Sequence, residues 1–241
     1  MAQYVYGKNV VMQMLKNQSE IQTLYLVSGT KNPEIEKEAQ KNGVKISFVP
    51  KVKMDAMAKN GKHQGVVAQI KEYKTYSLEE ILAAIPSGKQ PLLVMLDGLE
   101  DPHNLGAILR TCDCVGVDGV IIGKHRSVSL TPTVAKVSTG AIDTVKVAQV
   151  TNLTQTLKDL KQLGYWVVGA DGYQATDYRK VDYNMPVVLV IGSEGFGISR
   201  LVQKECDYCV SIPMVGEVSS LNASIATAVL LYQIYSQRFS A

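Results

Sequence analysis

LLVMLDGLEDPHNLGAILR, the stretch from Leu92 to Arg110, changes periodicity midway. Leu92 to Leu96 is an unbroken apolar run, the pattern of a strand buried on both faces of a parallel sheet. Leu105, Ile108, Leu109 and Cys112 then recur at helical spacing, which predicts a helix over residues 105–115. Between them lies a polar strand-to-helix loop, where Asn104 is placed to cap the helix unless it has another task. Strand, loop and helix in this order make the repeating unit of an α/β sheet.

Three further apolar runs, residues 119–122, 166–168 and 187–191, read as strands of the same sheet. Helices are expected between and after them over 153–163, where leucines repeat opposite lysines, and over 221–235. Upstream, residues 73–90 carry the capping box Ser77-Leu-Glu-Glu80 and end in Pro86-Ser87-Gly88, and are expected to form a linker holding one short helix. Residues 1–72 read as a separate small α/β unit. Its helices are expected at 8–16, 33–42 and 52–59, and its strands at 23–28, 45–49 and 65–70. Asn32-Pro33 starts the second of these helices and Gly43 closes it. The expected division is therefore 1–72, linker 73–90, and 91–241.

The 241 residues are 46% hydrophobic and 20% charged, a globular composition. No apolar stretch approaches the roughly 20 residues needed to span a bilayer, and residues 1–7 lack a secretory leader, so a cytoplasmic protein without membrane attachment is expected. The net charge of +3 is unevenly spread. Residues 1–72 hold eleven lysines against six acidic residues, whereas 73–241 hold 14 basic against 16 acidic. A lysine-rich small unit suits docking to a polyanion, because ammonium groups hold phosphates without reading sequence; a solvated surface would show the same balance.

The four cysteines, Cys112, Cys114, Cys206 and Cys209, form a C-x-C and a C-x-x-C. Zinc ligation competes here with burial as small hydrophobic thiols. Positions two apart diverge around a helix, and the apolar neighbours of all four favour burial, so no metal is expected. His63 and His125 are expected at the surface, and His103 can touch substrate.

In open α/β sheets ligands collect at the carboxyl ends of strands. Three loops stand there: Asp97 to Arg110, Ile191-Gly-Ser-Glu-Gly-Phe-Gly197, and Ile212-Pro-Met onward to Ser224. The glycines at 192, 195 and 197 allow close backbone approach to a ligand, as any tight turn could also require. Their order is wrong for the dinucleotide fingerprint, and residues 119–125 fail the P-loop spacing. No G-x-S-x-G elbow accompanies the three histidines, which argues against a serine hydrolase.

Together the loops resemble the three C-terminal motifs of the SPOUT methyltransferases, in particular the TrmH (SpoU) ribose 2′-O group. Asn104-Leu-Gly-Ala-Ile-Leu-Arg110 is similar to the first motif, Ile191-Gly-Ser-Glu-Gly195 to the second, and Ile212-Pro-Met through Ser219-Ser-Leu-Asn-Ala-Ser224 to the third. Gly7-Lys-Asn and His63-Gln-Gly-Val-Val resemble parts of that family's ribosomal-protein-like RNA-binding domain. The resemblance implies a parallel sheet with a deep trefoil knot, a homodimer formed through the C-terminal domain, and methyl transfer from S-adenosylmethionine to a guanosine ribose of 23S rRNA, free or in a ribosome assembly intermediate. The alternatives are a transfer RNA 2′-O-methyltransferase, a methyltransferase of the same family acting on another rRNA nucleotide, and an RNA-binding protein without catalysis, which the intact motifs argue against. The resemblance also assigns Gly192, Ile212, Met214 and Leu221 to the cofactor, with Thr139 and Gly140 beside them.

The resemblance makes Arg110 the activator of the hydroxyl. A guanidinium with a pKa above about 12 is better suited to binding phosphate and stabilising alkoxide charge than to removing a proton. Asn104 and Asn222 are assigned to orienting substrate or loop, and Ser220 to bonding the ribose or Arg110. Glu194 either pairs with a cation or holds its glycine turn. Ser220 and Asn222 can equally cap the final helix.

Overall fold

The strands expected in the C-terminal part pair side by side in parallel, and the computed structural model describes residues 3–16, 21–59, 61–70, 73–172, 175–217 and 220–239. The chain divides into two units, residues 1–73 and 74–241.

In the first unit the described elements are β1 (Gln3–Tyr6), α1 (Lys8–Lys16), β2 (Ile21–Val27), α2 (Pro33–Lys41), β3 (Lys45–Val49), α3 (Lys51–Met57) and β4 (Val66–Ile70). The sheet order is β1-β4-β2-β3, with β4 antiparallel to both neighbours and β2 parallel to β3. Helix α2 starts at Pro33 and carries Glu34 and Glu36 in its first turn and Lys41 in its last, the charge order a helix dipole favours. Val11, Leu15, Ile35 and Ala39 bury their side chains against Leu24, Leu26, Val66 and Ala68. His63, expected at the surface, is buried: its Nε2 lies 2.8 Å from Asp55 Oδ1, and its Nδ1 accepts from Gly65 N–H at 3.0 Å. It pins the turn entering β4.

The second unit contains α4 (Leu78–Ala83), β5 (Leu92–Leu96), α5 (Pro102–Val115), β6 (Gly119–Gly123), α6 (Pro132–Ser138), α7 (Ala141–Thr144), β7 (Val147–Val150) and α8 (Leu153–Gln162). It continues through β8 (Trp166–Ala170), β9 (Thr176–Asp177), β10 (Val187–Ile191), α9 (Arg200–Gln203), β11 (Tyr208–Ser211) and α10 (Ala223–Arg238). The strands form one parallel sheet of order β7-β6-β5-β10-β8-β11-β9. Every residue of the central β5 and β10 is buried, which is why both read as unbroken apolar runs.

Two expectations need correction. Residues 76–83 are not a free linker: the Ser77–Glu80 capping box forms, Ile81 is fully buried in the core of the second unit, and Tyr76 bridges to Ala148. Gly119 makes room for this helix, since a Cβ there would come within 2.6 Å of Ile81 Cγ2. Helix α5 is capped by Asp101, whose Oδ1 accepts from His103 N–H at 3.0 Å, and Pro102 takes the first helical position. Asn104 therefore sits inside the helix with its side chain free for other work. Gly106 lets α5 and α6 approach closely, a Cβ there falling 2.6 Å from Val137 Cβ.

Among the cysteines, Cys112 is buried, Cys206 and Cys209 are half-buried, and Cys114 is exposed, contrary to the burial expected for all four. Cys114 follows Cys112 by two residues, enough to turn it off the helix's inner face. Among the described residues there is no group of three or more His, Cys, Asp or Glu side chains arranged to hold a metal. No described helix is long and apolar enough to cross a membrane.

Candidate functional site

The carboxyl ends of β8, β10 and β11 and the start of α10 enclose a cavity of about 860 Å³. That size fits a small organic ligand. Ile191, Ile212, Met214, Leu221, Ala226 and Leu230 give it apolar walls, while Asp171, Ser193, Glu194, Ser220 and Asn222 add polar groups. Six residues singled out in the sequence meet here: Gly192, Glu194, Ile212, Met214, Ser220 and Leu221. Asn222 is the seventh. They come from two loops, after β10 and after β11. Val218 and Ser219, part of the third motif, lie outside the described residues.

The loop after β10 doubles back sharply. Ser193 and Gly197 exchange backbone hydrogen bonds of 3.1 and 3.0 Å, closing a turn through Glu194, Gly195 and Phe196. Gly195 and Gly197 have φ of +92° and +65°, conformations that disfavour any side chain. At Gly192 the constraint is space: an added Cβ would collide with the backbone of Gly197 and Ile198.

One carboxylate oxygen ties three segments together. Glu194 Oε1 accepts from Asn104 Nδ2 at 3.0 Å, from Asn222 Nδ2, and from the Ala223 N–H at 3.3 Å. Asn222 Nδ2 also donates to Asn104 Oδ1 at 2.9 Å. Meanwhile Asn222 Oδ1 accepts from Ser224 N–H at 2.9 Å and caps α10. Asn222 thus caps α10 and at the same time bonds to Asn104 and Glu194. Asn104 is 5% exposed, donates to Glu194 and accepts from Asn222, and so joins α5 to the loops after β10 and β11.

Asp97 is a contributor that the sequence reading passed over. Its Oδ2 accepts from Ser199 N–H at 2.7 Å, tying the end of β5 to the far side of the glycine turn. An acid immediately after a buried strand was the available signal. Asp171 and Gly172, just beyond β8, were missed for the opposite reason: they follow their strand without any motif. Behind the cavity, Gly169 lets Cys206 approach, a Cβ there lying 2.7 Å from its Sγ. Burial, reinforced by Cys209 and Asp207, pushes the Cys206 thiol up to about 12, which keeps it protonated.

Arg110 stands apart. It is exposed on α5, makes no hydrogen bond or ion pair among the described residues, and is not among the residues lining the cavity. Thr139 and Gly140 form the left-handed turn between α6 and α7, are exposed, and likewise do not line it.

The fold is that of an α/β domain with a cavity of small-ligand size at the carboxyl edge of its sheet. The SpoU rRNA Methylase family matches residues 91–232, and the family described as RNA 2′-O ribose methyltransferase substrate binding matches residues 4–76. YacO of Bacillus subtilis (strain 168), named for the TrmH family of tRNA/rRNA methyltransferases, is 47% identical over 98% of this chain and 96% of its own length. An AdoMet-bound rRNA methyltransferase from Sinorhizobium meliloti superposes with a TM-score of 0.64 at 25% identity, covering 99% of this chain and 88% of that one. The A. aeolicus TrmH/SpoU tRNA modifying enzyme gives a TM-score of 0.57 at 31% identity, covering 67% of this chain and 82% of that one. The chain belongs to the SpoU (TrmH) family of RNA 2′-O-methyltransferases.

Proposed function

We propose that this chain transfers a methyl group from S-adenosylmethionine to the 2′-hydroxyl of a guanosine in 23S rRNA, as RlmB does, and that it works as a cytoplasmic homodimer. The carrying observation is the cavity of about 860 Å³, in which residues from the second and third motifs converge on one apolar-walled space. S-adenosylmethionine fits this donor set: an apolar body for the adenine and side-chain stem, and backbone groups freed by glycines for its polar edges.

That cofactor supplies an electrophilic methyl group on a sulfonium. The chain's own task is to hold both partners in line. Ile212, Met214, Leu221 and Leu230 exclude water from the donor side. Glu194 Oε1 accepts from Asn104, Asn222 and the Ala223 N–H. We assign it to fixing the turn and α10 together. Asn104 and Asn222 share that assignment, and Ser220, exposed at the rim, remains for the ribose.

We assign Arg110 to binding the phosphate beside the target and to stabilising charge developing on the ribose oxygen. A dimer in which Arg110 of one copy faces the cavity of the other would bring this exposed guanidinium to the RNA phosphate beside the target ribose. The proposed trefoil knot is supported by the return of β10 between β5 and β8, and by the Glu194–Asn222 bond joining the glycine turn to the C-terminal segment. Thr139 and Gly140 are retained as cofactor neighbours only within that dimeric arrangement.

The choice of rRNA over tRNA rests on the first unit. The rRNA methyltransferase of S. meliloti covers 99% of this chain, whereas the tRNA modifying enzyme of A. aeolicus covers 67%. Labelled methyl transfer to purified 23S rRNA and to tRNA separates the two: transfer to 23S rRNA is expected, and transfer to tRNA alone contradicts the substrate assignment.

A further inference from the structure

Phe196 is the only aromatic residue among the described residues lining the cavity, and it is 94% exposed. A large apolar ring held in water is a cost that folding does not require. The turn that displays it is held firmly. Ser193 and Gly197 close it through paired backbone bonds, Gly195 and Gly197 flank the ring with positive φ, and Glu194 is tied to Asn104 and Asn222. Ordering this ring against a ligand therefore costs less entropy than ordering a ring on a loose loop.

The occupant follows from the setting. A ring this exposed is not packed on the inner walls and keeps its face open at the mouth, where a ligand larger than the cavity can cover it. The macromolecular substrate arrives at the same mouth, and nucleobases lifted from an RNA stack commonly lie on aromatic side chains. A single-stranded loop whose nucleotides leave regular stacking at this mouth presents base faces close to the cavity rim, beside the ribose to be modified.

We propose that Phe196 stacks on a nucleobase of the RNA strand at or beside the target ribose and so helps to select and place the acceptor. This rests on the RNA methyltransferase reading above and adds a substrate contact that the family motifs do not assign. The ring takes no part in the chemistry; it fixes where the strand lies.

The test uses the full chain and the variants Phe196→Ala, Phe196→Leu and Phe196→Tyr. A 23S rRNA transcript is the substrate, with KM and kcat measured for methyl transfer. RNA affinity by filter binding, cofactor affinity by calorimetry, and oligomeric state are measured in parallel. Phe196→Ala should raise the RNA KM and Kd about tenfold, with cofactor affinity and oligomeric state unchanged. Phe196→Tyr should retain RNA affinity and Phe196→Leu should not. Unchanged RNA affinity in the alanine variant overturns the proposal. So does rescue by leucine equal to that by tyrosine, which would mean a nonspecific apolar contact. A selective loss of cofactor binding or of oligomer would instead assign the ring to the cofactor or to a second copy. If the wild-type protein binds the RNA without methylating it, the functional reading fails while Phe196 is still judged on the filter-binding values. If it binds no RNA, the stacking proposal fails too.

Discussion

Asn104 and Arg110 lie on the same helix, six residues and about a third of a turn apart, yet they have opposite surroundings. Asn104 is buried and joined to Glu194 and Asn222 in a closed set of hydrogen bonds, whereas Arg110 is exposed and makes none among the described residues. The first group is complete within a single chain and builds the loop beside the cavity. The second has no such partner among the described residues. Motif residues that travel together in sequence thus divide into those whose hydrogen bonds are met within one chain and those left open at the surface, and under the proposed function the first build the site and the second act in it.

The division breaks first at Arg110. Arg110→Ala should lower kcat by about a hundredfold or more, because a lost electrostatic stabiliser acts on the transition state. Calorimetric cofactor affinity and the melting temperature should stay at wild-type values; a parallel fall in either would move Arg110 into the structural group. Next comes Gly192→Ala, whose Cβ would collide with the backbone at Gly197 and Ile198. It should weaken cofactor binding by about tenfold and cost about 1–3 kcal/mol in denaturant unfolding.

Glu194 sharpens the comparison. All three of its donors converge on Oε1, an acceptor that an amide also provides. Glu194→Gln should therefore keep most activity, while Glu194→Ala leaves those donors short and costs about 1–3 kcal/mol of stability. An inactive but fully stable glutamine variant would restore Glu194 to a catalytic role. The smallest effect concerns the thiols. Cys114, exposed on α5, should react first with a maleimide, and Cys112, fully buried with its thiol pushed well above the usual range, last. Mass spectrometry of a labelling time course reads that order.

Much of this arrangement was legible beforehand because burial on both faces leaves a plain signal. The bounds of β5 and β10 coincide with the apolar runs 92–96 and 187–191. The missed strands are short or peripheral: β1 at the edge of its sheet, the two-residue β9, and β7, which is half covered. Asn104 can be read as a cap or as a site residue, and the structure removes the first reading because Asp101-Pro102 starts the helix three residues earlier. The linker expectation followed turn residues and overlooked Ile81, a single apolar side chain whose partners lie far along the chain. The burial of His63 depends on Asp55, a pairing no periodicity reveals.

For the site, motif residues placed most of the cavity lining, but Asp97 and Phe196 each sat inside a quoted loop without a role. What distinguishes them is spatial: a bond across the sheet for one, and bare exposure beside a cavity for the other.

The account turns on an alkali-resistant 2′-O-methyl group in 23S rRNA that depends on Arg110. Mapping ribose methylation across ribosomal and transfer RNA, from cells lacking this chain and from the same cells carrying it intact or as Arg110→Ala, tests that directly. Loss of methylation at one guanosine of 23S rRNA, restored by the intact chain and not by the variant, is the predicted pattern. An unchanged 23S map, or a missing methyl group that lies on a base or in tRNA, would contradict it.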